Sequence, residues 1–318
     1  MRKLFSKLLL IIVPALIIII LTVILLFYLP PSKSVQKSLL FAQIDKNILL
    51  KYTPGPRIIF IGGSNLSFGL DSRRIKDSLA LNPINTGIHG GIGLKYMLSN
   101  AENYIKENDI IIVSPEYQQF YGDAGNGVIE LLSTIVDVSP NSIKLLGLKQ
   151  YFSLIPHIST YLMSKIDGLK DTSKIDTEIG IYDRKSFNSF GDAYIHWKLP
   201  RKKVKPMRKI KGTLNEDIIL SLKEFRNIVN QKKARLFITF PGYQDLSFAN
   251  SKIQIKEIEQ ELKKYGFYLL SNPERYIIPD SLTYNTPYHL TKKGVDLRTT
   301  LLIEDLKKAL KTDRKSNL

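Results

Sequence analysis

The segment Arg57–Asn65 reads RIIFIGGSN, an apolar, β-branched run that ends in two glycines and a serine. A short apolar run with a Gly-rich end is typical of a strand buried on both faces of a sheet. Further runs of this kind predict strands at 83–88, 109–113, 234–240 and 267–270. Segments with helical periodicity separate them, at about 72–81, 94–105, 213–231, 251–265 and 291–310. This alternation predicts an α/β fold with a parallel sheet covered by helices on both faces.

Cap residues set the expected ends of these helices. Asp71 or Ser72 is a suitable N-cap for the first of them. Two segments fit the capping-box pattern, Thr213–Glu216 (TLNE) and Ser251–Gln254 (SKIQ), and predict two further helix starts. Gly266 is the expected left-handed residue after the helix that starts at the second box.

The N-terminal part of the chain contains an uncharged run of 22 residues from Leu8 to Leu29. A helix of this length spans the hydrocarbon core of a bilayer, and Pro14 within it is tolerated in membrane helices. A cleaved signal peptide is the alternative, but its apolar region is about 7–15 residues long and ends in small residues. This run is longer and ends in Tyr-Leu-Pro-Pro. An uncleaved transmembrane anchor is therefore predicted.

The charges beside the anchor predict its orientation. Arg2, Lys3 and Lys7 precede it, and no acidic residue occurs before Asp45. The positive-inside rule then places the N-terminus in the cytoplasm and the main domain outside the cell membrane, in a single-pass protein. The expected organisation has three parts: a cytoplasmic tip with the anchor at 1–30, a linker at 31–56 and an α/β domain at 57–318. The domain is expected to contain a poorly periodic insertion at about 117–211.

The composition is strongly basic and free of cysteine. Lys and Arg number 46 against 29 Asp and Glu, a net charge of +17, and the run Lys198–Lys211 holds eight basic residues and no acid. Outside the cytoplasm such a run favours anionic lipid head groups or an acidic polysaccharide as partner, or it is a solvated connector. It lacks interleaved aromatics, so nucleic acid is not expected. Without cysteine, and without metal-ligand spacing around His157 and His196, no metal site is predicted.

Residues that could take part in catalysis follow the predicted strands. They are Ser64 and Asn65 after the first strand, Gly87 after the second, Glu116 after the third, and Asn285 and His289 before the last helix. A serine on a Gly-rich turn can present its hydroxyl at the sheet edge, where backbone N–H groups stabilise an oxyanion. His289 could accept the proton of Ser64, which predicts acyl transfer through a Ser–His pair. A phosphate-binding loop is disfavoured because the Gly-Lys-Ser/Thr signature is absent.

Three blocks of the sequence resemble the SGNH (GDSL-like) hydrolases: IFIGGSNLSFGLDS, NTGIHGGIG and NTPYHLTKKG. The closer resemblance is to the membrane-anchored branch that includes the alginate acetylation proteins and the D-alanyl transfer protein of teichoic acids. VSPEYQQFYG and YHLTKKG are typical of that branch. The resemblance implies a three-layer flavodoxin-like domain, Ser64 as nucleophile and His289 as base. It also implies Gly87 and Ser64 as oxyanion-hole donors, and a polytopic membrane-bound O-acyltransferase as a possible partner.

The sequence departs from the family pattern at several positions. Gly63 stands in place of the usual aspartate before the serine, and Thr286 in place of the triad aspartate. Ser114–Tyr117 (SPEY) replaces the block that normally supplies an oxyanion-hole asparagine. Asn285 or a backbone carbonyl would then have to orient His289. Asn65 and Glu116 are candidates for substrate binding, although a carboxylate at a strand end often has no ligand.

The sequence therefore predicts a membrane-anchored, extracytoplasmic O-acyltransferase or esterase that acts on a cell-surface or secreted polysaccharide without a cofactor. Two alternatives remain open. One is a catalytically impaired homologue that serves as a glycan-binding or scaffold subunit. The other is a hydrolase directed at lipid or peptide.

Overall fold

The computed structural model describes residues 2–169 and 178–316. Its central sheet has four strands, β1 (Arg57–Gly62), β2 (Asn82–Asn85), β3 (Ile110–Ser114) and β4 (Arg235–Ile238). They are all parallel and lie in the order β2-β1-β3-β4. The predicted α/β fold with a parallel sheet is therefore confirmed. Since β2 and β3 flank β1, the strand order reverses there and opens a crevice at the carboxyl ends of β1 and β3.

Thirteen α-helices lie within the described residues. They are α1 (Arg2–Tyr28), α2 (Lys33–Lys37), α3 (Ala42–Tyr52), α4 (Ser64–Ser67), α5 (Ser72–Leu79), α6 (Leu94–Glu102), α7 (Ile129–Ser133), α8 (Leu148–Leu154), α9 (Ile158–Leu169), α10 (Glu216–Gln231), α11 (Asp245–Asn250), α12 (Lys252–Lys264) and α13 (Lys292–Ser316).

Alternate residues of the strands face opposite helix layers. Ile58 and Phe60 of β1 lie in a cluster with residues of α5 and α13. Ile59 and Ile61 face the other way, into a larger cluster with residues of α6, α10 and α12. All six residues of β1 are buried, as expected for a central strand with helices on both sides. The run that the sequence identifies as a buried strand is thus the centre of the core.

Two of the predicted helix caps agree with the structure, and the two capping boxes differ. Asp71 caps α5, with its side chain accepting from the N–H of Arg74. Gly266 adopts a left-handed conformation (φ 69°) after α12. The capping box expected at Thr213 is wrong, because α10 begins at Glu216 and Asn215 is its N-cap. Ser251 is the N-cap of α12 as expected, but its side chain makes no capping hydrogen bond.

The last predicted strand, 267–270, is reduced to a single parallel bridge between Leu269 and Ile238. The chain instead forms a second, two-stranded parallel sheet from β5 (Tyr243–Gln244) and β6 (Ile277–Ile278). Two-residue strands carry too little periodicity to be predicted from sequence.

Residues 31–56, expected as a linker, are largely helical and pack against the sheet. Ala42, Lys46 and Leu50 of α3 are spaced four residues apart and are buried along one side of the helix. The Nη1 of Arg57 donates to the carbonyl of Leu50 at 2.6 Å. This anchors the end of α3 to the start of β1.

The region 117–211 contains ordered structure in its described parts. Short helices from α7 to α9 form a cluster around Leu131, Ile135 and Tyr161. The residues from 199 to 211 run as an extended segment without regular structure. At the N-terminus, α1 is long and apolar enough to cross a membrane.

Candidate active site

Ser64 lies at the carboxyl end of β1, at the first residue of α4. The residue before it has to be small, because a Cβ on Gly63 would lie 2.5 Å from Oε1 of Glu116 and 2.9 Å from the Cα of Gly90. The turn is fixed to β3 by the Asn65 side chain, whose Nδ2 donates to the carbonyl of Ser114 at 3.0 Å. Ser64 is 9% exposed, so little of it is in contact with solvent.

Glu116 follows β3 and contacts Ser64 directly. The Ser64 hydroxyl donates to Oε1 of Glu116 at 3.1 Å, and the N–H of Asn65 donates to the same oxygen at 3.3 Å. Gln119 holds the Glu116 backbone by accepting its N–H at 3.0 Å, and donates to the carbonyl of Gly90 at 2.9 Å. The carboxylate therefore occupies the position where backbone N–H groups of the serine turn would receive an oxyanion.

Burial raises the pKa of Glu116 above its ordinary value. The positive field of His89 and the hydrogen bonds from Asn65 and Ser64 lower the pKa but do not offset the burial. No Lys or Arg forms an ion pair with this carboxylate within the described parts of the chain. The protonated acid is thus favoured more than it is at the surface.

Gly87, the expected oxyanion-hole donor, follows β2. Its N–H donates to Oδ1 of Asn85 at 3.0 Å, because an Asn side chain readily folds back over the backbone two residues on. In the structure, therefore, this N–H is not directed at an open oxyanion position. A Cβ at Gly87 would lie 2.5 Å from the carbonyl oxygen of Gly63. This close approach to the serine turn explains the glycine.

Lys46 of α3 holds the loop that contains Gly87 through hydrogen bonds. It is fully buried, and its ammonium donates to the carbonyls of Asn85 (3.1 Å), Gly191 (2.8 Å) and Gly87. Burial lowers the pKa of Lys46 to about 7. Sequence reasoning missed this residue, since a lysine in an apparent linker gives no sign of burial.

His289 and Asn285 form a direct pair in the loop before α13. Nδ1 of His289 lies 2.8 Å from Oδ1 of Asn285, and Nδ2 of Asn285 donates to the hydroxyl of Tyr182 at 2.7 Å. This network fixes the amide with its oxygen toward the imidazole, so Nδ1 carries the hydrogen and Nε2 keeps a lone pair. The nearest upstream carboxylate, Asp280, instead bonds Gln244 and Arg201.

Phe68 connects the histidine loop to the serine turn. Its ring stacks on the His289 imidazole with a centroid distance of 4.1 Å. Its carbonyl accepts the N–H of Leu290 at 3.1 Å, while its own N–H donates to the carbonyl of Ser64 at 2.9 Å. Ser64 and His289 thus belong to one hydrogen-bonded unit. The described residues contain no direct hydrogen bond between their side chains, since the Ser64 hydroxyl donates to Glu116.

Burial, with smaller contributions from the positive fields of His196 and His89, lowers the pKa of His289 to about 3. The imidazole is therefore neutral at physiological pH and has a free lone pair, although so low a pKa makes it a weak base. His196, which the sequence offered as an ordinary histidine in the insertion, is 1% exposed and makes a tilted ring contact with Phe68, with centroids 5.0 Å apart. No sequence signal links it to His289. In the described ranges no three His, Cys, Asp or Glu residues converge in a way that could hold a metal ion.

The basic run crosses the edge of this site as an extended segment, which we call the basic strap (Lys198–Lys211). The N–H of Lys202 donates to the carbonyl of Tyr284 at 2.8 Å, five residues before His289. Val204 and Ile210 are buried, whereas the eight basic side chains are exposed. Arg201, with Asp280, makes the only ion pair of the strap within the described chain. The strap thus presents positive charge next to the histidine loop.

Comparison with known proteins adds no family to these observations: no family model, no curated protein and no solved structure matches the chain.

Proposed function

We propose that this protein is a membrane-anchored, extracytoplasmic O-acyltransferase or esterase of the SGNH type that acts on a polysaccharide. The observation that carries the proposal is the single unit formed by Ser64, Phe68 and the His289–Asn285 pair at the carboxyl edge of the sheet. The order β2-β1-β3-β4 is consistent with a flavodoxin-like domain. The apolar helix α1 supports the anchor, and the basic residues before it support the outside location of the domain.

In the acylation step, Ser64 rotates from Glu116 toward His289. Nε2 of His289 takes the hydroxyl proton while Oγ bonds to the carbonyl carbon of the acyl donor. Asn285 accepts the hydrogen on Nδ1 and keeps the ring oriented, a role that Asn also has in the Cys-His-Asn proteases. The protonated histidine then gives its proton to the leaving alkoxide. A sugar hydroxyl or water enters by the reverse sequence and releases the acyl group.

The oxyanion of the tetrahedral intermediate needs donors, and Glu116 can supply one. Its carboxyl group lies among the N–H groups of the serine turn, and burial favours its protonated form. In that form the acid donates a hydrogen bond to the oxyanion beside the Asn65 N–H, as the missing family asparagine would do. In the ionised form the same group repels the oxyanion.

The position of the basic strap supports an acidic acceptor. A cationic segment beside the histidine loop raises the local concentration of a polyanion and aligns it along the edge of the sheet. An acidic or membrane-proximal polysaccharide is therefore the proposed substrate class. The proposed chemistry uses only protein side chains, and a polytopic O-acyltransferase would be the source of the acyl group.

The test is covalent labelling of the full chain in detergent with a fluorophosphonate probe. We expect labelling of the wild type and its loss in Ser64→Ala and in His289→Ala. Ser67→Ala is the matched control, since Ser67 is a buried serine in the same short helix. Labelling that survives Ser64→Ala would contradict the assigned nucleophile.

The second candidate function is a glycan-binding or scaffold subunit. It is favoured by two observations: the Ser64 hydroxyl is bonded to Glu116, and among the described residues Nδ1 of His289 pairs with Asn285 and not with a carboxylate. A folded wild type that binds the acidic polymer but shows no labelling, and Ser64→Ala cells that keep polymer modification, would select this function over the enzyme.

A further inference from the structure

Helix α8 exposes an apolar stripe. Leu148, Tyr151, Phe152 and Ile155 follow the i, i+3, i+4, i+7 spacing of one helix face, and they are 72%, 41%, 62% and 57% exposed. The opposite face is buried through Gln150 and Leu154. An amphipathic helix normally turns its apolar face inward, so a continuous exposed stripe indicates a contact surface.

The neighbouring helix α9 packs along the end of α1. Tyr161 stacks on Phe27 with ring centroids 5.6 Å apart. Lys165 donates to the carbonyl of Leu29 at 2.7 Å. A Cβ on Gly168 would lie 3.3 Å from the Cβ of Ser32. Tyr161, Lys165 and Gly168 contact Phe27, Leu29 and Ser32 in the same order along the chain. Helix α9 therefore runs parallel to the end of α1 and extends beyond it.

Followed toward its N-terminus, α9 leads back to α8 and its exposed stripe. A 3-10 turn, Ile155–His157, separates α8 from α9. Leu154, on the buried face of α8, belongs to the same apolar cluster as Phe27 at the end of α1. Val23 and Leu26 of α1 are half-buried, whereas residues 10–22 of the helix are exposed. The exposed stripe therefore lies close to the end of the apolar run.

The active-site edge of the sheet lies on the same side of the molecule. Lys46, early in α3, contacts the carbonyl of Asn85 at the carboxyl end of β2. Leu50, late in α3, contacts Arg57 at the beginning of β1. Helix α3 thus runs antiparallel to the strands, and its first residue, Ala42, lies toward the edge that carries Ser64. At that edge Ile88, which follows β2, packs in the same apolar cluster as Phe27 of α1.

We propose that the α8 stripe inserts into the lipid at the outer surface of the membrane and that the carboxyl edge with Ser64 faces the bilayer. The inference rests on the proposed function for the anchor and for Ser64, and deepens it. Lipid is the occupant because α8 packs in the same apolar cluster as Phe27, at the end of the anchor. Burying Leu, Phe and Ile side chains there contributes to membrane binding in proportion to their area. The substrate class is then a polymer or acyl donor held at the membrane surface.

The chain has no cysteine, so single cysteines can report depth without background. Phe152→Cys and Ile155→Cys are labelled with a nitroxide in the full chain, reconstituted in vesicles of phosphatidylcholine and phosphatidylglycerol. Tyr52→Cys is the matched control: Tyr52 is an aromatic residue, 67% exposed, at the far end of α3. Ile18→Cys, in the middle of α1, reports whether the anchor spans the bilayer. Collisions with dissolved oxygen, which concentrates in hydrocarbon, are compared with collisions with a nickel chelate, which stays in water.

The proposal expects a several-fold higher oxygen-to-nickel ratio at Phe152 and Ile155 than at Tyr52. Water-like ratios at both positions, with Ile18 in hydrocarbon, would overturn the lipid contact and leave the anchor intact. A water-like ratio at Ile18 would overturn the anchor as well. If the two positions are shielded only in cell membranes and not in pure lipid, the stripe binds a membrane protein, and the lipid contact is also overturned.

Discussion

At the scale of single residues, the contact between Ser64 and Glu116 is the most informative feature. It joins the ends of β1 and β3 across the point where the strand order reverses. A carboxyl group buried there has two chemical states with opposite effects on an oxyanion. The neutral acid donates a hydrogen bond, and the carboxylate repels. Its protonation state therefore controls the proposed reaction.

Replacing Glu116 separates these states. Glu116→Gln keeps the shape and a permanent donor, so it should retain acylation, whereas Glu116→Ala should lose about 10²–10³-fold, as for other oxyanion donors. Because the pKa of Glu116 is raised, the wild type should be active below that pKa and lose activity as the pH rises through it. His89, Tyr243 and Tyr288 are the titratable groups whose fields couple to it.

The measurement is the pre-steady-state release of p-nitrophenol from p-nitrophenyl acetate as a function of pH. Glu116→Gln should lack the decline at high pH that the wild type shows. A Gln variant as inactive as the Ala variant would instead make Glu116 the proton acceptor of Ser64.

The sequence indicates Ser64, Asn285 and His289 because each belongs to a short local pattern, and the structure brings the last two within 2.8 Å. It does not indicate the Ser64–Glu116 contact or His196. Both depend on how the fold brings together segments that are 50 or more residues apart. The spacing of residues along the sequence does not indicate such contacts. The structure also differs at Gly87, whose N–H bonds its own neighbour, Asn85.

At the scale of elements, a buried ion pair joins the beginnings of the strands to the ends of two helices. Arg57 Nε lies 2.8 Å from Asp109 Oδ1, and both side chains are at most 3% exposed. Arg57 also donates to the carbonyls of Leu50 and Tyr104, at the ends of α3 and α6. A buried pair adds little net stability over an apolar pair, but removal of one member leaves the other charge unpaired.

Arg57→Met should therefore lower the free energy of unfolding by about 3–5 kcal/mol. The measurement is guanidinium unfolding of the full chain in detergent, followed by the fluorescence of Trp197. Lys233→Met is the control, because the Lys233–Glu107 pair is exposed and should contribute far less. Arg57→Met/Asp109→Leu should recover part of the loss. Equal losses in Arg57→Met and the control would contradict the role of the pair.

The agreement between sequence and structure varies with the strength of the local signal. Strand β1 is predicted at its observed residues because the run Arg57–Gly62 is mostly apolar and β-branched and ends in glycine. The strand expected at 267–270 is absent except for one bridge, since the chain there leaves the sheet beside β4. Helix α3 was missed because its inward side lacks a clear apolar pattern: four of its eleven residues are polar or charged there. One of them, Lys46, is buried because it donates to backbone carbonyls.

At the scale of the whole molecule, the net charge of +17 is partly concentrated beside the proposed active site. The basic strap is held by its buried Val204 and Ile210, so its cations keep a fixed position on the domain. A fixed row of charges binds a polyanion with less loss of conformational entropy than a flexible tail does. The resulting attraction should weaken as salt is added.

Neutralising Lys202, Lys203 and Lys205 to Gln should weaken binding of a soluble polyuronate by about tenfold at low salt, and flatten its salt dependence. Lys307→Gln/Lys308→Gln/Lys311→Gln is the control, because it removes the same charge from the exposed side of α13 toward its end. Binding is measured by isothermal titration calorimetry at several salt concentrations. An equal loss in both triple variants would assign the binding to overall charge and not to the strap.

The packing of α3 against the sheet has a consequence for where the protein can work. Between the end of α1 at Tyr28 and the start of β1 at Arg57, only short non-helical segments interrupt α2 and α3, so the domain has no long tether. In the proposed enzyme, Ser64 is then held at a constant height above the membrane. Its reach is limited to substrates close to the membrane. A polymer would be modified only along the part of its length that lies near the bilayer.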